Sequence, residues 1–234
     1  MTFLGIGTIL RSMLRPEDQA IYDRVQERFA EHERSLGRVL FRSHDWMRMR
    51  WAFAMSSGLR CVGDVGMGQG QLINLLAARP DVEKVYGIDM KERATLLRPS
   101  EPDKYEIVCW DITEDLADKL APVDLMIAME ILEHIDPELL PDALQRVRAL
   151  SRNGNLLIMV PYQEKEPLYQ FDKPHGHKQS FDDDALLRVF GNQIVWSQMF
   201  DYWYCIFSSD LIDSPGEQEP EELVATVQQL LTQG

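Results

Sequence analysis

Basic residues are scarce in this 234-residue chain: 24 lysines and arginines face 38 aspartates and glutamates, a formal charge of −14. A field of that sign repels phosphate backbones, so general nucleic-acid binding is excluded unless a local basic patch overrides it. Cysteine is rare too. Cys61, Cys109 and Cys205 stand far apart, with no C-x-x-C spacing and no even count, which excludes a disulfide framework and a thiolate zinc site. A reducing cytoplasm suits such a chain. No apolar stretch approaches the ~18 residues of a membrane span. The apolar opening Met1–Leu10 has neither a basic leader nor a small-residue cleavage site, so a secretion signal is not expected.

The charge that is present is unevenly placed. The first 60 residues hold ten arginines and no lysine, whereas nothing beyond Arg188 is basic and acids accumulate from Asp210 onward. Ile21, Val25 and Phe29 recur at helical spacing after Pro16, and a second helix is predicted over Ser43–Met55. From residue 60 the pattern becomes strands alternating with helices: Arg60–Val65, Lys84–Asp89, Tyr105–Trp110, Val123–Met129 and Gly154–Val160, with helices predicted at 71–79 and 137–150. Such alternation implies right-handed crossovers and a doubly wound, mostly parallel α/β sheet. After a polar loop (161–180) and a helix (181–190), the runs 193–199 and 202–207 lie too close for a crossover and are predicted to form an antiparallel hairpin. The chain divides into an N-terminal helical extension or lid (1–58), a core (59–209) and an acidic tail (210–234). A short helix near 221–231 would dock on the body or on a second copy in a homodimer, or stay solvated.

Chemistry concentrates where strands end. Asp64-Val65-Gly66-Met67-Gly68-Gln69-Gly70 closes the first strand and opens a helix, with glycines that let backbone approach a ligand. The dinucleotide fingerprint fails because its third glycine would fall on Gln71. Asp64 would repel a pyrophosphate but suits an ammonium, so the loop favours a zwitterion. Asp89, closing the second strand, is placed to accept both hydroxyls of a ribose. Asp111-Ile112, after the third strand, can accept an adenine amino group and pack on its ring. Three acids after three successive strands describe a nucleoside site with an amino-acid end.

On these motifs, together with D-L-M-I-A-M-E-I-L-E-H-I at residues 124–135, the chain resembles the class I S-adenosylmethionine-dependent methyltransferases across about residues 60–207. The resemblance implies a Rossmann-like, seven-stranded sheet ending in an antiparallel hairpin, and S-adenosylmethionine as cofactor with S-adenosylhomocysteine as product. It places Gly66, Gly68 and Gly70 at the methionine end, Asp89 on the ribose, Asp111 and Ile112 around the adenine, and Glu130 beside the cofactor.

Methyl transfer to a hydroxyl needs help with the leaving proton, for which a histidine is suited. His134, just past the fourth strand, is the preferred base, with Glu133 or Glu130 to orient it; His177 is its rival from the 161–180 loop. Glu130, Glu133, His134 and the run Asp182–Asp184 include donor types for a metal, but their spacing specifies none, so no metal site is assigned. An Asn/Asp-Pro-Pro-aromatic run, usual in methylases of DNA-base amines, is missing. The segment His44–Ala54, with Trp46, Arg48 and Arg50, is similar to the lead-in helix of methyltransferases acting on sugars or glycolipids. O-methylation of a small molecule or saccharide is therefore expected. The alternatives are a non-catalytic adenosyl-binding scaffold, a protein or nucleic-acid methylase, and an NAD-dependent oxidoreductase.

Overall fold

The computed structural model describes residues 14–37, 43–115, 120–163, 176–190, 194–200 and 203–210. The proposed tail helix lies outside them. Two helices come first, α1 (Pro16–Leu36) and α2 (Ser43–Met55). Strand β1 (Cys61–Val65), α3 (Gln71–Ala77), β2 (Lys84–Asp89), β3 (Tyr105–Cys109), β4 (Leu125–Met129), α4 (Leu140–Ala149) and β5 (Leu156–Pro161) follow. The chain then forms α5 (Asp183–Phe190), β6 (Ile194–Phe200) and β7 (Trp203–Ser208). The strands lie in one sheet in the order β3-β2-β1-β4-β5-β7-β6. Strands β1 to β5 pair in parallel, and β7 runs antiparallel to both β5 and β6.

The sheet buries both faces because successive side chains on a strand point to opposite sides. Leu125, Ile127 and Met129 of β4 join an apolar cluster with α1, α2 and α3, while Met126 and Ala128 join a second one with α4 and α5. Helix α4 begins at Leu140 rather than at Pro137 as predicted. Pro137–Leu139 form a turn, and Pro141 takes the first helical turn, where a missing N–H costs nothing. Strand β4 begins two residues later than predicted, since Val123 makes only an isolated bridge to Ser151.

The N-terminal helices are part of this core. Phe29 of α1 is fully buried, edge-on to Trp46 of α2. Arg79, fully buried after α3, donates to the Phe53 carbonyl at 2.9 Å and pairs with Asp81 at 3.0 Å and Asp18 at 3.4 Å. Phe29→Ala is therefore expected to destabilise the whole protein by about 3–5 kcal/mol, read as a lower urea midpoint at unchanged slope. A fall in the slope instead would show α1 melting on its own.

Candidate functional site

The site lies at the C-terminal edge of the parallel strands. Leaving β1, the chain turns on Gly66, whose N–H donates to the Ile88 carbonyl at 2.8 Å. Gly70 caps α3 at φ +86, and a Cβ there would stand 2.7 Å from Leu96 Cδ1 and 2.9 Å from the Leu97 carbonyl. Glycine is required at that position both for its backbone angle and for its space. Gly66 (φ +76) and Gly68 (φ +55) complete a left-handed loop. Met67, within it, turns inward and is buried against Gly87.

Of the acids read from the sequence, Asp64 and Asp89 stand at this loop. Asp89 accepts the Gly68 N–H at 3.1 Å, so the proposed ribose acid is already aimed at the glycines; Arg93, half-exposed, stands 3.6 Å from it. Asp64 is 3% exposed, and burial pushes its carboxyl up to about 8, with the charge of Asp89 adding to the effect. Asp111 is partly engaged: one carboxylate oxygen accepts from the Thr113 N–H and hydroxyl at 2.9 and 2.7 Å. Ile112 is buried in the second cluster with Trp110.

A neutral Asp64 at pH 7 cannot attract an ammonium as a charge, and a zwitterion binding there must displace its proton. S-Adenosylhomocysteine affinity is thus expected to rise about tenfold per pH unit from 6 to 8 and then level off. Asp64→Asn should flatten that profile. A flat wild-type profile in calorimetry across this range would contradict the assignment.

Residues that the sequence did not single out brace the loop. The Asn74 side-chain amide donates to the Gly70 and Leu97 carbonyls, both at 2.7 Å. Arg28 of α1 donates to Asn74 Oδ1 at 2.8 Å and to the Arg98 carbonyl at 2.7 Å. His32 Nε2 lies 2.9 Å from the Thr95 carbonyl. Only the polar character of Asn74 inside an apolar helix signals this in the sequence; the partners on α1 are set by tertiary packing.

Beyond β4 the second half of the site assembles. Glu130 adopts φ +54, an unusual angle for a non-glycine residue and one that clusters at functional sites. Its carboxylate pairs with Arg48 of α2 at 2.6 Å. Leu132–His134 form a 3-10 turn that carries Glu133, fully buried, and His134. Residues 176–179 are stitched onto this turn. The Lys178 N–H donates to the Glu133 carbonyl at 2.6 Å, and the Gln179 side chain donates to the Leu132 and Ile135 carbonyls at 3.1 and 3.0 Å. His177 thereby meets His134 edge-on, with ring centroids 4.8 Å apart. The two rival bases share one site.

Their donors, together with one oxygen of Glu133, all lie within 4.8 Å of one another. This approaches the ~3–4 Å spacing of donors that share one ion. His134 Nδ1 stands 3.3 Å from the Gly176 carbonyl, and Nε2 stands 3.9 Å from Glu133. With Nδ1 as the donor to that carbonyl, Nε2 keeps a lone pair for an ion, which is how backbone carbonyls orient metal-bound imidazoles. The sequence reading assigned no metal. Folding adds His177, 43 residues from His134, to two of the donor types named there, and leaves Asp182–Asp184 out of the set.

Residues 62–154 match a family model described as a methyltransferase domain. No curated protein matches the sequence. Among solved structures, the chain is similar to the small RNA methyltransferase HEN1 (TM-score 0.56, 16% identity), with 78% of this chain aligned to 27% of that one. It is also similar to an S-adenosylmethionine-dependent methyltransferase from Clostridium acetobutylicum ATCC 824 (TM-score 0.53, 13% identity, 82% of this chain and 99% of that one). An O-methyltransferase family protein from Burkholderia thailandensis aligns with 86% of this chain and 71% of its own (TM-score 0.52, 15% identity). At such identities the likeness concerns the fold. Among the described residues no helix is long and apolar enough to cross a membrane.

Proposed function

We propose that this chain, whose residues 62–154 match a methyltransferase domain, is an S-adenosylmethionine-dependent methyltransferase that methylates a hydroxyl oxygen of a small molecule or saccharide. The observation that carries the choice of oxygen is the meeting of Glu133, His134 and His177 at the exit of β4. Amine acceptors at neutral pH need only lose a proton to water, whereas an alcohol gains much from a neighbouring base or cation.

When bound, S-adenosylmethionine supplies an electrophilic methyl group on a sulfonium. The residues of this chain fit it: at Gly68 a Cβ would meet only the Gly66 carbonyl at 3.8 Å, so the loop's backbone is approachable there, the buried Asp64 can take its ammonium, and Asp89 already stands at the loop. We assign Gly66, Gly68 and Gly70 to the methionine end, Asp89 to the ribose, and Asp111 with Ile112 to the adenine. Substrate selection falls to residues 1–55 and to the 161–180 loop. The three free cysteines fit a reducing cytoplasm.

We assign the cluster to a divalent cation held by Glu133, His134 and His177. A mixed nitrogen–oxygen set of this kind suits Mn²⁺, Co²⁺ or Zn²⁺ better than Mg²⁺ or Ca²⁺. Such an ion, when bound, lowers the pKa of a coordinated hydroxyl. The same imidazoles acting alone, as the sequence suggested, would make a metal-free general base. Chelation separates the two: with an ion, EDTA abolishes turnover and Mn²⁺ restores it; with a metal-free base, EDTA has no effect.

The acceptor is sought by following methyl transfer from labelled donor to sugars, glycolipids and phenols. The ribose hydroxyls of short RNAs belong in the screen because one structural neighbour is a small RNA methyltransferase. Transfer to an oxygen supports the proposal. Transfer only to amines, or cofactor binding without transfer to any class, would replace it with an N-methyltransferase or a non-catalytic scaffold.

A further inference from the structure

Arg48 connects the N-terminal helices to the catalytic mouth. Its guanidinium pairs with Glu130 at 2.6 Å, also pairs with Asp45 on its own helix, and lies 4.6 Å above the Trp203 ring at the start of β7. The side chain is only 12% exposed, so these interactions are poorly screened by water. Glu130 is three residues before Glu133, at the same strand exit, and its backbone is fixed by an N–H donated to the Met159 carbonyl at 2.9 Å. Burial pushes its carboxyl above the usual range, while Arg48 and, more weakly, His177 pull it back toward the ionised form. Glu130 thus couples electrostatically both to the Arg48 guanidinium and to the His177 end of the cluster.

We propose that Arg48 is a built-in counter-cation of the Glu133–His134–His177 site: it neutralises Glu130 while the site is empty and so weakens cation binding there. The inference rests on the assignment of that cluster to a divalent ion. Its physical basis is simple. An ion in the cluster is attracted by the Glu130 carboxylate and repelled by the guanidinium that Glu130 holds, and with both present the two influences nearly cancel. Removing the guanidinium leaves a net negative charge beside the ion. Ion affinity would then be set from outside the cluster, by a residue of α2, and any displacement of that helix by substrate would change it.

The test is calorimetric titration of the full chain with MnCl₂ alone, without cofactor or acceptor. Arg48→Met should bind Mn²⁺ about tenfold or more tightly than wild type, as expected for one full charge removed at short range. Arg48→Lys, which keeps the charge, should stay within about threefold of wild type. The gain should vanish when Glu130→Gln is added to Arg48→Met, and His134→Ala should abolish binding in either background. If Arg48→Met does not fold, Arg48→Gln removes the same charge and gives the same reading. Wild type that binds Mn²⁺ with Arg48→Met no tighter overturns the role of Arg48 and leaves the ion assignment standing. Absence of Mn²⁺ binding in wild type and both charge-removing variants overturns the ion assignment itself.

Discussion

Replacing Asp89 with alanine should weaken S-adenosylhomocysteine binding by at least about 100-fold. Two ribose hydroxyls donating to one carboxylate make two charge-assisted hydrogen bonds, each contributing roughly 1.5–3 kcal/mol. Asp89 also accepts the Gly68 N–H at 3.1 Å, so its loss frees the loop that surrounds the methionine end. Asp89→Asn retains an acceptor for that N–H and should fall between the two. Arg93, 3.6 Å away, competes for the same carboxylate in the free protein, and its removal should tighten binding slightly. Thermal unfolding of the unliganded Asp89→Ala protein serves as the control. A midpoint within a few degrees of wild type shows that the affinity loss belongs to the site and not to the fold.

The second large effect is on turnover. His134→Ala and His177→Ala should each lower kcat by about 10²–10⁴, the range expected when proton removal loses its assisting group. Affinity for S-adenosylhomocysteine should change less than threefold, because the cofactor acids lie on other strands. The double variant should be little worse than either single one, since groups acting as a unit fail together. Glu133→Gln belongs to the same set: its carboxyl is fully buried 3.9 Å from His134 Nε2. If neither histidine variant slows turnover, positioning alone accounts for the rate and the cluster has another purpose.

The placement of the glycine loop and its acids was largely legible because these residues are consecutive with their secondary structure. A strand that ends in Asp64-Val65 and then glycines, and a strand that ends in Asp89, need no long-range information to be placed on one edge of a parallel sheet. The hairpin at the chain's end was equally local, since two strand-like runs with so short a connector pair antiparallel. The cluster at the exit of β4 was legible only in parts. His134 and His177 were read as alternatives, and nothing in a linear pattern says that residues 176–179 fold back onto the turn at 132–134. That contact depends on the Lys178 and Gln179 hydrogen bonds to the turn's backbone.

The arginines of the first 60 residues show the opposite failure. Arg48 and Arg50 lie in the segment His44–Ala54, whose similarity to sugar- or glycolipid-directed methyltransferases points to a substrate role. In the folded protein Arg28 braces Asn74, Arg48 pairs with Glu130 and Asp45, and Arg50 pairs with Gln19 while lying over Tyr22. Their charge serves internal contacts, which composition cannot distinguish from a surface patch.

The central claim is that the edge formed by the glycine loop, Asp64 and Asp89 binds the methyl donor. The measurement that reaches it most directly is calorimetric titration of the purified protein with S-adenosylhomocysteine, with NAD in parallel. Micromolar binding of the thioether, with no heat from NAD, is the expected result. Heat from NAD with none from S-adenosylhomocysteine would contradict it.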